Sequence, residues 1–335
     1  MNYLFNKLFG GTPDPQPTPA FTLNLSDREL LNWIKNTNIL TSATKHIYLR
    51  KLMAIINDFT PSHPLSYWII HPDEFVLSLQ NYRSQISHST DATSAQFMTP
   101  IISLVLHHQE IQEQYPTLLG QWKKVKNDWL HETNDLYLSN KPSAKQSTAN
   151  IPFDELCSRR DTLPIGSDAR LLISLYTYVP PVRADYWHMK IYSEDPQTTT
   201  ENYLVLDKNE SMIVLNQYKT AKVYGENIIP IPEPLYQEII ASLSQHPREY
   251  LFVTKKGLPY EKVNSWNVWA NRLLRKQLNL PNFTITMFRH IYISREDLDI
   301  GNMTRKEKKE ISDKMGHSLS TQDQYRWIDE NDESS

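Results

Sequence analysis

Thiols are almost missing from this chain: Cys157 is its one cysteine in 335 residues. That excludes an intrachain disulfide framework and leaves no thiolate set for a structural zinc site. Glycine is scarce as well, with eight residues, which suits a mostly helical chain. No uninterrupted apolar run approaches the roughly 18 residues of a membrane-spanning helix. The opening MNYLFNKLFGG is too short and too interrupted for a secretory apolar region. It reads as an arm or a short docking peptide. Excess positive charge is lacking too. The net charge of −3 counts against a histone-like binder of nucleic acid, although local clustering of charge matters more than its sum.

What is present points to two domains, each long enough to bury a core. Residues 1–20 contain TPDPQPTP and read as an extended or disordered arm, because proline removes an amide donor and biases its predecessor away from helix. Residues 21–138 read as all-helical. Ser26 and Glu29 have the spacing of a capping box ahead of Leu30, Leu31, Trp33 and Ile34. A helix is predicted from Ser42 through Ile56, with Ile47, Leu49, Leu52, Ile55 and Ile56 inward and Tyr48, Arg50 and Lys51 pointing elsewhere. Further helices are predicted after His71-Pro72, with Phe75, Leu77, Leu79 and Tyr82, and from Ala95 to His108 with a kink near Pro100. Another is predicted from Thr117 to Leu136, with Lys123, Lys124 and Lys126 on its outer face. Those lysines are either a solvated face or phosphate contacts.

Residues 139–150, SNKPSAKQSTAN, read as the interdomain linker and carry Lys141 and Lys145. Residues 151–335 alternate helix and strand. An apolar helix is predicted from Asp168 to Val179. Strands are predicted at 188–192, 202–206, 212–215 and 227–231, and helices at 233–244 and 263–278. The last of these helices ends with Arg272, Arg275 and Lys276.

The stretch Thr286 to Tyr325 carries the chemistry. Arg289 and His290 lie in an aromatic helix-like segment, Met315-Gly316-His317 closes a second, and Tyr325 sits in a short third. An arginine and a histidine can bind an anionic oxygen, and a tyrosine can attack phosphorus. Each residue singly has an ordinary explanation: a surface ion pair, a helix C-cap, a packing aromatic. Together, in this order, they resemble the tyrosine recombinases, the phage-integrase family. Thr286-Met-Phe-Arg289-His290 matches that family's His-x-x-Arg-His box except at its first position. Met315-Gly316-His317 matches its Leu/Met-Gly-His box, and Tyr325 its late nucleophilic tyrosine. Arg183, in Tyr-Val-Pro-Pro-Val-Arg183-Ala-Asp-Tyr, stands where the family has its first arginine, and Lys219 stands where it has its hairpin lysine. The arginine's frame resembles that of recombinases from large DNA viruses and their mobile elements.

The resemblance implies an α+β, mostly helical chain. It would have an N-terminal all-α core-binding (SAM-like) domain and a C-terminal mixed α/β catalytic domain with a small antiparallel sheet. It implies Arg183, Lys219, Arg289, His317 and Tyr325 as catalytic residues, Asp185 in support and Lys222 as the competing general acid. The reaction implied is metal- and ATP-independent cleavage and rejoining of double-stranded DNA through a 3′-phosphotyrosyl intermediate, by a dimer or tetramer on DNA inside the cell. Lys123, Lys124, Lys126, Lys141, Lys145, Arg272, Arg275 and Lys276 would contact DNA.

The residue types suit that chemistry. A guanidinium is a planar fork of donors that stays charged. A phenol with a pKa of about 10 needs about 4 kcal/mol to ionise at neutral pH, so nearby cations help. A mobile ammonium can protonate the leaving 5′ oxygen. Thr286 departs from the pattern, because threonine cannot act as a base near neutral pH, which leaves His290 or water. The acidic tail after Tyr325 leaves little for a C-terminal helix passed to a neighbouring subunit. Three other readings stay open. These are a catalytically silent DNA-binding module, a type IB topoisomerase or telomere resolvase with the same residues, and a helical protein-interaction module.

Overall fold

A computed structural model describes residues 22–85, 90–196, 199–207 and 210–327. The expected N-terminal arm and the acidic tail lie outside the described residues. The chain divides into two compact units, with the boundary between Asp135 and Leu136.

The first unit is built from helices α1 (Asp27–Asn36), α2 (Ser42–Asp58), α3 (Leu65–Ile70), α4 (Pro72–Gln85), α5 (Asp91–Ala95), α6 (Met98–His107), α7 (Gln109–Gln114) and α8 (Leu118–Trp129). Helix α9 (His131–Leu138) crosses the boundary. Side-chain caps start several of them. Ser26 and Glu29 form the full capping box, and Thr41 and Thr90 cap α2 and α5. The core is aromatic: Phe59 lies 5.1–6.2 Å from the rings of Trp68, Phe75, Tyr82 and Phe97. Trp122 is buried there, with its indole N–H donating to Ile69 O at 2.8 Å.

Four local expectations are corrected. Ile47 and Leu77 face solvent, 43% and 52% exposed, because the faces of α2 and α4 that bury Leu52, Ile55, Phe75 and Leu79 leave them outside. Lys51 is buried instead, its ammonium 4.4 Å from the Phe97 ring, where the cation meets the ring face and the stem packs as apolar surface. Pro100 makes no kink, because α6 begins at Met98 and proline in a first turn displaces no intrahelical donor. The predicted helix from Thr117 to Leu136 is two helices, α8 and α9, meeting at Leu130.

The second unit begins with α10 (Ala144–Ser147), α11 (Phe153–Thr162) and α12 (Asp168–Thr177). Strands β1 (Lys190–Tyr192), β2 (Tyr203–Val205) and β3 (Met212–Leu215), helix α13 (Ala221–Tyr224) and strand β4 (Asn227–Pro230) come next. Helices α14 (Glu233–Gln245), α15 (Val263–Leu278), α16 (Ile285–Ile293), α17 (Arg305–Lys314) and α18 (Leu319–Tyr325) complete it. The stretch expected to be only a linker is partly built into this unit. Ser143 and Gln146 close a capping box on α10, and Ala149 and Ile151 are buried in the core. Helix α12 is the centre of that core: Ala169 and Leu171 through Thr177 are all buried, so it is enclosed on nearly every side.

The sheet is mixed rather than antiparallel, with order β1-β2-β3-β4. Strand β2 runs antiparallel to β3, and β3 to β4, but β1 runs parallel to β2, with Ile191 opposite Leu204. A tight two-residue hairpin would force antiparallel pairing, and residues 193–202 between β1 and β2 are longer than such a turn.

Arg170 joins α12 to α14 through a two-pronged pair with Glu238, at 2.7 Å from Nη2 and 2.9 Å from Nε. Both side chains are largely buried, so losing one partner strands a charge. Glu238→Ala is expected to cost about 3 kcal/mol in urea unfolding of this unit. A loss below about 1 kcal/mol, the range of a surface pair, would contradict the role.

Candidate active site

Helix α16 carries an unusual burden. It is buried from Met287 to Ile293, and that span includes Arg289, which is 1% exposed. A guanidinium taken out of water costs several kcal/mol unless its donors find acceptors. Here Nη1 donates to Pro181 O at 3.1 Å and Met315 O at 2.9 Å, and Nη2 donates to His317 Nδ1. The guanidinium carbon also lies 4.7 Å from the centre of the Tyr325 ring. Burial pulls the pKa of Arg289 down and the adjacent Tyr325 pushes it back up, and arginine stays charged throughout.

The turn after α17 is the second organiser. Gly316 has φ +65°, the left-handed conformation that ends many helices, and His317 N–H donates back to Ser312 O at 3.0 Å. A Cβ at Gly316 would stand 3.2 Å from two carbons of the Tyr218 ring, so glycine serves both the backbone twist and the close approach. The Gly316 carbonyl accepts from Arg183 Nη1 at 3.0 Å and from Thr220 Oγ1 at 2.8 Å. Tyr218 and Thr220 flank Lys219, so the loop bearing that lysine is docked on the turn that presents His317.

Arg183 is fixed at its backbone. Its carbonyl accepts from Tyr176 Oη at 2.6 Å, and its N–H donates to Asp185 Oδ2 at 3.0 Å. Burial holds the Asp185 carboxyl above its ordinary range, opposed by that hydrogen bond. Asn202 is buried between the two loops. Its Nδ2 donates to Asp185 O at 3.1 Å and Gln217 O at 2.9 Å, while its Oδ1 accepts from the N–H groups of Asn216 and Gln217.

The histidines differ in what they can offer. An arginine only donates, so His317 Nδ1 is the acceptor and the ring proton sits on Nε2. That Nε2–H is buried without a hydrogen-bond partner. Burial, then the charges of Arg289 and Arg183, push the His317 pKa down to about 3, so at neutral pH it is an uncharged donor. His290 instead uses both nitrogens. Nδ1 donates to the Tyr325 carbonyl at 3.1 Å, and Nε2 faces Gln146 Nε2 at 3.4 Å. Burial, opposed by that bond to Tyr325, brings its pKa to about 4. With both nitrogens engaged, His290 is not the free base that Thr286 leaves wanting.

Of the residues singled out in the sequence, Arg183, Arg289, His317 and Tyr325 come together here. The His317 and Tyr325 rings are 5.4 Å apart. Lys219 and Lys222 are both exposed, Lys219 in the docked loop and Lys222 on α13. Thr286 is exposed in the first turn of α16, one helical turn from Arg289. Arg272, Arg275 and Lys276 are exposed on α15, and Arg275 Nε donates to Phe283 O at 3.0 Å. Lys145 is exposed and Lys141 half-buried. In the first unit Lys123 and Lys124 are exposed, while Lys126 is half-buried with Nζ 3.4 Å from Thr99 Oγ1.

Sequence reasoning missed Tyr176, Asn202, Tyr218, Thr220 and Gln322. Gln322, three residues before Tyr325, is 1% exposed, and neither polar atom of its side chain has a hydrogen-bond partner. The one available signal was the Tyr-Lys-Thr sequence around Lys219. Among the described residues, no group of His, Cys, Asp or Glu is arranged to hold a metal, and no helix is long and apolar enough to cross a membrane.

Several solved structures are similar to this chain. The XerA recombinase matches with a TM-score of 0.40 and 16% identity, over 91% of this chain and 95% of that one. The Tn1549 transposon integrase, in complex with transposon right end DNA, matches with a TM-score of 0.48 and 14% identity, over 92% of this chain and 96% of that one. No protein-family profile matches the sequence, and no curated protein matches it.

Both histidines are neutral in the folded chain, and an unfolded histidine titrates near 6.5. Between pH 6.5 and about 4 for His290, and about 3 for His317, the unfolded state binds more protons. Stability therefore falls as pH drops through that window, by about 1.4 kcal/mol per pH unit for each. Urea midpoints measured from pH 6.5 to 4.5 are expected to fall less steeply in His290→Asn than in the unsubstituted chain. Equal slopes would contradict the burial of a neutral imidazole.

Proposed function

We propose that the second unit is a DNA strand-transfer centre of the tyrosine-recombinase type, and that the chain cuts and rejoins double-stranded DNA through a 3′-phosphotyrosyl intermediate. The observation that carries this reading is one convergence. The Arg289 guanidinium and the uncharged imidazole of His317, its N–H unpaired, lie against the ring of Tyr325, and Arg183 is bonded to the Gly316 carbonyl, next to His317 in the chain.

A phosphodiester brings one negative charge, which grows on its non-bridging oxygens as a nucleophile attacks. Arg183, Arg289 and His317 Nε2–H are donors of the kind that stabilise such charge. The Tyr325 hydroxyl attacks phosphorus, the bond to the 5′ oxygen breaks, and that oxygen takes a proton from Lys219. The phenolic proton passes to water, and the flanking guanidiniums lower the cost of the phenolate. Attack by a 5′ hydroxyl on the phosphotyrosyl bond reverses the sequence. Bond energy is conserved in that linkage, so rejoining requires no nucleotide hydrolysis. The sequence frame of Arg183 supports action on the ends of a viral or mobile element, by an oligomer assembled on DNA inside the cell. The exposed cations of the two units, Lys123, Lys124, Lys145, Arg272 and Lys276, supply phosphate contacts.

One observation favours a catalytically silent DNA-binding chain instead: an exposed threonine, Thr286, stands where a base belongs. The two readings separate on a nicked suicide duplex carrying the element's own terminal sequence. The unsubstituted chain is expected to give a covalent protein–DNA band, and Tyr325→Phe to bind equally well and give none. His317→Ala should slow band formation by about 10²–10³-fold, the cost of one preorganised donor. A 5′-thio leaving group should rescue Lys219→Ala. No band from the unsubstituted chain supports the silent reading, a band from Tyr325→Phe refutes the nucleophile, and rescue of Lys222→Ala alone moves the general acid to Lys222. Relaxation of a plasmid lacking the site would indicate a topoisomerase.

A further inference from the structure

Tyr325 is the last residue of a seven-residue helix, and the next residue makes no hydrogen-bonded cap. Its carbonyl is one of the orphan acceptors that every helix leaves at its C-terminal end. Helix α16 supplies the partners. His290 Nδ1–H donates to that carbonyl at 3.1 Å, and Ser294 Oγ leans toward it at 3.5 Å. Ser294 Oγ also accepts the N–H of Trp327 at 2.8 Å. The indole of Trp327 is stacked on the His290 imidazole, with centroids 4.2 Å apart and planes 11° apart, and it joins the core of the unit. Gln146 Nε2 donates to His290 Nε2 at 3.4 Å, which keeps the proton on Nδ1 where the Tyr325 carbonyl needs it.

We propose that His290, Ser294 and Trp327 form a clasp that fixes the backbone at Tyr325 and so aims its hydroxyl at the phosphate held by the arginines. His290 lies on α16 and Ser294, four residues on, is its C-cap, and Arg289 immediately precedes His290, so one element with its cap carries both the activating guanidinium and the holders of the nucleophile. A short helix fastened only at its start, by the Ser318 side chain, would fray at its far end. The phenol would then swing with it, and a displacement of about 1 Å at a reacting atom can cost about 10²-fold in rate. The clasp is made within one chain, so the tyrosine serves the arginines of that chain. This inference rests on the reading of Tyr325 as nucleophile; the clasp residues are positioning residues and touch no reacting atom.

The test compares paired substitutions in the full chain on the suicide duplex, with the rate of covalent band formation and the DNA affinity measured separately. Ser294→Ala and Trp327→Ala are expected to slow the band by about 10–100-fold at unchanged affinity. Ser294→Thr and Trp327→Phe, which keep the hydroxyl and a stacking ring, should recover to within a few-fold. Mixing Arg183→Ala with Tyr325→Phe chains should give no band, because neither chain holds a complete site. Unsubstituted rates in both alanine variants would overturn the clasp. So would a rate loss that tracks lost affinity, or one that the conservative variants fail to rescue. Should Trp327→Ala not fold, the Ser294 pair decides alone. A band on the Arg183→Ala chain in the mixture would show delivery between chains and overturn the within-chain assignment. An unsubstituted chain that forms no band refutes the nucleophile itself, and the clasp with it.

Discussion

A guanidinium buried to 1% exposure is the constraint from which the second unit's geometry derives. Arg289 cannot shed its charge, so burial calls for acceptors inside the protein; Nη1 and Nη2 find them, while Nε is buried without a partner. The acceptors are the carbonyls of Pro181 and Met315 and a ring nitrogen of His317. These come from two separate stretches of chain: the loop after α12 and the turn after α17. Satisfying one charge therefore draws together the loop that bears Arg183 and the turn that presents His317. Leaving one of these buried donors without its acceptor costs about 1–3 kcal/mol, a sizeable share of a domain's net stability.

The same arrangement explains why the imidazole is uncharged. Burial of His317, and then the two cations beside it, oppose a third positive charge. What remains is a buried neutral donor without a hydrogen-bond partner, on a ring 5.4 Å from that of Tyr325. Buried polar groups nearly always find partners, and here His317 Nε2–H, Arg289 Nε and the Gln322 carboxamide are buried without one. Under the proposed strand-transfer function, a phosphodiester would bring acceptor oxygens to the unpaired N–H groups of His317 and Arg289.

Much of this was legible from residues in a row. The capping box at Ser26, helix Val263–Leu278 and strand Met212–Leu215 arise from periodicity and cap chemistry. The Met-Gly-His turn and the late tyrosine pointed to one centre through their joint resemblance, with Arg183, Lys219 and Arg289, to the tyrosine recombinases. What stayed hidden depends on contacts across the fold. Asn202 reads as an ordinary strand-edge residue, yet it ties the Asp185 loop to the turn before Lys219. His290 reads as a spare base in the sequence, and only the fold engages both of its nitrogens. Lys51 reads as a surface cation, and only the placement of Phe97 accounts for its burial. The parallel pairing of β1 with β2 is set by where the intervening chain returns, which local pattern does not encode.

The convergence of groups on one phosphorus is tested most directly by a crystal structure of the protein with its cleaved DNA end and orthovanadate, which mimics five-coordinate phosphorus. The account predicts the Tyr325 oxygen at one apex, with Arg183, Arg289 and His317 Nε2 within hydrogen-bonding distance of the equatorial oxygens. Vanadate bound with Tyr325 remote from it, or held without either arginine, would contradict the account.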